Sequence, residues 1–298
     1  MKKRDLESHG QLLLNFLNMK QTILVPTDFS NNSLTATYYA IELAKRIHAD
    51  IHILHTYRPF TSAFQSPLAN QTDEQRAQLG AEKSLADFME KLDIDRSVNV
   101  TTGIVKSTIL DAVKNYLDQN NVCLVVMGTR GASGIRYDVL GSNTYDLAKH
   151  ITHPMLIVPE HAAPFKLNKV VFFTDYQEKD VNTFRGLLSL LDKSISLSCT
   201  LVHIDEDGQS KDTDRVKLRE WQEMLAAKTD FNNLSAEIVH LQENVDSVNE
   251  ILNRSQADLT ILTLIGGKSF FEKLFHKSLA RAIILNPKTP VFLTGGVE

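Results

Sequence analysis

The chain has 298 residues, enough for about two ordinary domains, and its 43% hydrophobic and 23% charged content is that of a soluble globular protein with a sizeable core. A net charge of −4 offers no basic face for nucleic acid, and no apolar stretch reaches the roughly 20 residues that a membrane-crossing helix needs. The two cysteines, Cys123 and Cys199, fall far apart in predicted strands, so no disulfide framework, zinc spacing or CxxC pair arises and a reducing cytoplasm is the expected setting.

Residues 1–18 read as an N-terminal extension. Lys2, Lys3 and Arg4 precede a short apolar patch at Leu12, Leu13 and Leu14. Asp5, Glu7 and Asn15 interrupt it and no small-residue cleavage site follows, so no export signal is expected. Met19, directly before the first strand, is an alternative natural start.

From Gln21 strand and helix alternate. The first strand covers 22–26 and runs into Thr27, Asp28, Phe29 and Ser30; Leu34, Tyr38, Ile41 and Ile47 mark the inner face of the next helix. A second strand spans 51–56, and a loop with Pro59 and Pro67 leads to a polar helix over about 73–92. The third strand covers 98–105, and Ile109, Val113 and Leu117 line a third helix. Residues 123–127 form a short branched run, as a strand buried on both faces does. A glycine-punctuated loop follows, then a helix with Leu147, Ala148 and Ile151 on one side, then a last strand over 154–158. Five strands alternating with four helices predict an open parallel sheet with helices on both faces and right-handed crossovers.

The pattern then starts again. Residues 169–175 repeat 22–28, with Asp175 standing 147 residues after Asp28 (175 − 28), and His203 stands 148 after His55 (203 − 55). Residues 258–263 repeat the fourth strand and 289–293 the fifth. A repeat of this size means two copies of one domain, and thus two tandem five-stranded sheets. The expected organisation is an extension at 1–18, a first domain at 19–160, a linker at 161–165 and a second domain at 166–298.

The loop from Gly128 to Ser142 carries the chemistry. Its spacing is Gly128, two residues, Gly131, nine residues, then Gly141-Ser142, directly between a strand and a helix. A helix start has unpaired N–H groups and about half a positive charge, so an anion docks there directly. Gly141 has no side chain to hold a phosphate away from the backbone, and Ser142 is placed to cap the helix or to offer its hydroxyl. Gly128 and Gly131 are expected to let the chain turn at the strand's carboxyl end, where open α/β sheets bind ligands. The competing reading is that the glycines only make turns and Ser142 only caps.

The segments Pro26-Thr27-Asp28-Phe29-Ser30 and Ile53-Leu54-His55, with Met127-Gly128, Gly131 and Gly141-Ser142, together resemble the universal stress protein family. From about residue 19 the chain resembles a tandem member, and the glycine motif resembles that of the family's ATP-binding branch. The resemblance implies a Rossmann-like fold that binds ATP or AMP, with or without Mg2+, acts in stress response or signalling, often dimerises and has no defined fast catalysis. It also implies roles for particular residues. Pro26 and Asp28 wall the nucleoside, with Thr27 between them in the same set and Asp28 accepting from ribose hydroxyls. Thr56 falls where backbone groups read adenine. Met127 and Gly128 face the ribose, and Gly131, Gly141, Ser142 and Asn143 hold phosphates. No catalytic residue and no metal ligand is implied. Single-domain relatives dimerise, so the fused repeat is expected to be an intrachain pseudo-dimer, with a further homodimer left open.

Other candidates are weaker. Arg130 and Arg136 add charge inside the loop but are equally ordinary exposed arginines. His52 and His55 point to opposite faces of a strand and cannot easily share one ion. Ser142 and His150 lie more than two helical turns apart, with no GxSxG elbow. Gly266-Gly267-Lys268-Ser269 mimics a Walker A loop, but Leu262 stands where its first glycine belongs, so fast phosphoryl transfer has little support. In the second half Lys277 takes the place of Gly141, and counting from Gly266 makes the loop two residues shorter than the loop counted from Gly128 (11 against 13). One nucleotide per chain, in the first half, is therefore expected. Two alternatives remain, a scaffold that binds a protein partner or another ligand without nucleotide, and a slow ATPase on the same fold.

Overall fold

A computed structural model describes residues 20–60, 63–64, 66–94, 96–129, 141–191, 195–205, 212–240, 246–263 and 289–294. The N-terminal extension, Arg130, Gly131, Arg136 and the stretch from Gly266 to Ser278 lie outside these residues.

In the first half the strands are β1 (Thr22–Pro26), β2 (Asp50–Tyr57), β3 (Val100–Lys106), β4 (Val122–Gly128) and β5 (Pro154–Val158). They alternate with helices α1 (Asn31–Ile47), α2 (Pro67–Glu90), α3 (Ile109–Gln119) and α4 (Ser142–His150). The second half supplies β6 (Lys169–Phe173), α5 (Glu178–Leu190), β7 (Ser198–Asp205), α6 (Asp212–Thr229), β8 (Leu234–His240), α7 (Asp246–Ser255), β9 (Leu259–Thr263) and β10 (Val291–Thr294).

Local chemistry sets most helix starts. Ser30, Ser66 and Thr108 each accept a backbone N–H from three residues ahead, at the starts of α1, α2 and α3. The second helix begins at Pro67, earlier than its expected start near 73. Proline suits the first helical position, whose N–H has no helical partner in any case, so Pro67 opens the helix and does not interrupt a loop.

The strand order is β3-β2-β1-β4-β5-β10-β9-β6-β7-β8 in a single ten-stranded sheet. Each half is parallel, as its alternation predicts, but the halves do not form two separate sheets. Strand β10 runs antiparallel to β5, pairing Phe292 with Leu156 and Leu293 with Met155. The result is an intrachain pseudo-dimer with the seam at β5 and β10. Two apolar layers cover the sheet, and both cross this seam. One holds Leu43, Phe88, Phe184 and Leu225 from α1, α2, α5 and α6. The other holds Val113, Leu147 and Ile251 from α3, α4 and α7.

The connection between the halves is strapped to α1. The Tyr39 hydroxyl donates to the Ala163 carbonyl, and Thr35 Oγ1 donates to the Glu160 carbonyl at 3.2 Å. Phe165 packs edge-on to Tyr39 at 5.5 Å, and the Arg46 guanidinium lies 4.9 Å over the Phe165 ring.

Candidate functional site

The carboxyl ends of β1 and β4 are neighbours in the sheet, which brings together residues about a hundred positions apart. At the end of β1 the chain folds back on itself. The Thr27 hydroxyl donates to Ser33 Oγ at 3.1 Å and accepts the Phe29 N–H at 3.0 Å, and Asp28 Oδ1 accepts the Ser30 N–H at 3.1 Å. Asp28 is half-buried and closes a turn through this bond, so its carboxylate already has structural work.

Phe29 sits at φ 65°, the left-handed region, which costs a bulky residue about 1–2 kcal/mol. Its ring is held by His55, at a centroid distance of 4.2 Å, and by Phe88 at 5.6 Å. His55 Nδ1 lies 2.8 Å from the Thr27 carbonyl oxygen. A carbonyl only accepts, so this nitrogen carries the proton. The second half repeats the arrangement: Tyr176 at φ 62°, His203 Nδ1 at 3.0 Å from the Thr174 carbonyl, and rings 4.4 Å apart. The recurring histidine is therefore a packing device. His52, on the opposite face, bonds Thr101 Oγ1 at 2.8 Å and stacks on Tyr116 at 4.3 Å; burial pushes its pKa down.

At the other wall, Gly128 is the last residue of β4, paired with Val158, and not a turn residue. Met127 is buried in the second apolar layer, so only its backbone is available at the strand's end. Beyond the undescribed part of the loop, the Gly141 N–H donates to the Thr129 carbonyl at 2.8 Å. The Thr144 hydroxyl donates to the Gly128 carbonyl at 3.0 Å. These bonds stitch the start of α4 to the exit of β4. The N-cap of α4 is Gly141, at φ −55°, and no side chain caps it. Ser142 is thus the first helical residue and not the cap. Ser142 and Asn143 are exposed, while Thr144 is buried. Where cap hydroxyls bond the first turns of α1, α2 and α3, α4 has no side-chain cap bond and begins with the exposed Ser142 and Asn143.

Pro26, Thr27, Asp28, Gly128, Gly141, Ser142 and Asn143 therefore line one edge of the sheet. Thr56, near the end of β2, is on the same edge, where Thr27 N–H donates to the Leu54 carbonyl at 2.9 Å. Gly131 lies in the undescribed loop. Sequence reasoning missed Asn32, Ser33, Thr129 and Thr144, which hold these walls together. The repeat left one partial signal: Thr27 recurs 147 residues later as Thr174, and a polar Asp180 stands in the place of Ser33.

The second half differs at the same edge. Its strand pairing sets Leu259 opposite Val170, as Leu124 stands opposite Ile23, so Thr263 occupies the place of Gly128. Gly266 is not its counterpart, and a loop counted from Thr263 to Lys277 is not shorter than that from Gly128 to Gly141 (14 against 13). The loop-length argument for an asymmetric chain fails. In its place Thr263 Oγ1 donates to Thr183 Oγ1 at 3.0 Å, which bonds Thr294 Oγ1 at 2.5 Å. Asp180, 2% exposed, accepts from the Thr174 hydroxyl at 2.5 Å and from the Gln177 N–H at 3.3 Å. Burial raises its pKa, and the Asp175 charge adds to this, against the hydrogen bonds from the Thr174 hydroxyl and the Gln177 N–H.

The fold and this edge define a doubly wound α/β protein whose candidate site residues sit at strand ends. Residues 19–159 match the universal stress protein family. Universal stress protein YxiE of Bacillus subtilis is 30% identical over 148 residues, covering 47% of this chain and 99% of the relative. Universal stress protein MJ0531 of Methanocaldococcus jannaschii is 26% identical over 151 residues, covering 50% of this chain and 88% of the relative. A universal stress protein structure from Archaeoglobus fulgidus, 16% identical, superposes with a TM-score of 0.68 over 92% of this chain and 98% of that one, a likeness of fold. The chain belongs to the universal stress protein family.

Proposed function

We propose that this chain binds one adenine nucleotide, ATP or AMP, in its first half and serves in stress response or signalling without fast turnover. The observation that carries the reading is the start of α4, which lacks a side-chain cap, begins with Gly141 and is tied to the exit of β4. Phosphates would meet the backbone N–H groups of Ser142 and Asn143 beside Gly141, which has no side chain to hold them off, with Gly131 in the intervening loop. The nucleoside would lie toward Pro26, Thr27 and Asp28, with backbone at Thr56, Met127 and Gly128. Any Mg2+ would be held mainly by the nucleotide's own phosphates.

Nucleotide released from denatured, freshly purified protein and identified by chromatography tests the reading directly. Calorimetric titration with ATP tests the site. Gly141→Val should remove at least two charge-assisted hydrogen bonds of about 1.5–3 kcal/mol each, and hence weaken ATP by about 100-fold or more. A folded Gly141→Val protein with unchanged affinity overturns the assignment. ATP turnover at about 1 per second or faster, abolished by the Asp28→Ala change, overturns the absence of fast catalysis.

A further inference from the structure

Asn32, the second residue of α1, is 3% exposed, and its amide holds separate pieces of chain together. Its Nδ2 donates to the Val158 carbonyl at the end of β5 at 3.0 Å, and its Oδ1 accepts the Thr129 hydroxyl at 3.1 Å. The Thr129 N–H donates to the same Val158 carbonyl at 3.1 Å, and the Thr129 carbonyl in turn accepts the Gly141 N–H. A continuous run of hydrogen bonds thus leads from α1, through the exit of β4, to the N-cap of α4. Buried amides whose donor and acceptor are both used fix position strongly, because breaking either bond strands a polar group.

The same amide explains Gly128. A Cβ at this position would lie 2.7 Å from Asn32 Cγ and Oδ1, closer than a side chain tolerates. Gly128 has no left-handed φ and lies within a paired strand, so conformational freedom is not what it supplies. The second half exchanges both residues together. Lys179, exposed, stands where Asn32 does (179 − 32 = 147), and Thr263 stands where Gly128 does. Within one chain, the amide and the missing side chain are kept as a pair or lost as a pair.

We propose that Asn32 is the positioning residue of the glycine loop: it ties the exit of β4 to α1 and β5, so setting where Gly141 and the start of α4 stand, and Gly128 is a glycine in order to admit it. The effect on ligand affinity rests on the nucleotide reading; the effect on the loop's anchor does not. Four full-length proteins test it: wild type, Asn32→Ala, Gly128→Ala and the double variant. Amide hydrogen exchange, thermal melting, and calorimetric titration with ATP and with adenosine are the measurements.

Asn32→Ala should melt cooperatively, exchange the Gly141 amide about tenfold faster and bind ATP about tenfold more weakly, the weight of one to two hydrogen bonds. Adenosine affinity should stay within about twofold, since adenosine has no phosphate to meet the loop. Gly128→Ala should lower the melting temperature or prevent folding, and the Asn32→Ala background should remove that defect. Unchanged Gly141 exchange in Asn32→Ala, or equal losses for ATP and adenosine, overturns the positioning role. A Gly128→Ala defect that persists in the double variant overturns the pairing. A wild-type protein that binds no ATP defeats the nucleotide reading alone, because exchange and melting still decide whether Asn32 sets the anchor.

Discussion

Phe29 and Tyr176 occupy a left-handed position that favours glycine, and in both halves the aromatic residue there packs against a tilted histidine ring. The site's polar residues diverge more than this packing does. Ser33 gives way to Asp180, which brings a carboxyl group into a buried network of threonine hydroxyls. Its folded pKa lies above the unfolded one, so the fold favours the protonated acid. The stability this gives is fully present below the unfolded value, near pH 4, and is lost as pH rises through the folded value. Asp180→Asn keeps an acceptor and removes the titration. Urea denaturation from pH 4 to 7 should therefore show wild type losing stability relative to Asp180→Asn as pH rises; parallel curves would refute this.

Helix α4 joins the candidate site to the core. Its Leu147 is fully buried in the second apolar layer while Ser142 and Asn143 face outward, so one short helix both packs and presents its start. Leu147→Ala should cost about 2–5 kcal/mol by denaturant titration, through lost burial and the cavity left behind. A cost under about 1 kcal/mol would mean that α4 is not anchored there. The strap between the halves makes a smaller contribution. Burial first, and the Asp258 charge second, push the Tyr39 phenol up to about 12, so it remains a donor to Ala163 across the neutral range. Tyr39→Phe should cost about 1–2 kcal/mol, because the Ala163 carbonyl loses its partner while the ring still packs on Phe165. An unchanged denaturation midpoint would show that the strap contributes no stability.

The antiparallel pairing of β5 with β10 uses, within one chain, an edge that would otherwise be open to a second copy. The outer strands of the sheet are β3 and β8. Light scattering should accordingly give the mass of a single 33.5 kDa chain, and a mass twice that would place a second interface elsewhere. ATP titration should give close to one site per chain. With loop length removed as an argument, this expectation stands on Lys277 in place of Gly141 and on the joint exchange of Asn32 and Gly128 for Lys179 and Thr263. Two equivalent sites after removal of carried-over nucleotide would refute it.

The alternation of strands and helices and the 147-residue repeat were legible in the chain itself, whereas the caps at Ser30 and Thr108 came from the structure. The first two depend on periodicity along the chain. The edge that gathers Asp28, Gly128 and Gly141 was legible too, since parallel α/β sheets collect their loops at strand ends. What was not legible came from pairings distant in sequence. An apolar run such as 154–158 looks the same whichever neighbour it takes, so the antiparallel seam with β10 leaves no local mark. Gly266 looked like the partner of Gly128 until strand register put Thr263 there. Asn32, one polar residue in the first turn of a helix, gained its meaning only when folding brought Thr129, 97 positions away, within a hydrogen bond, because a buried contact is set by the sheet order and not by the residues beside it.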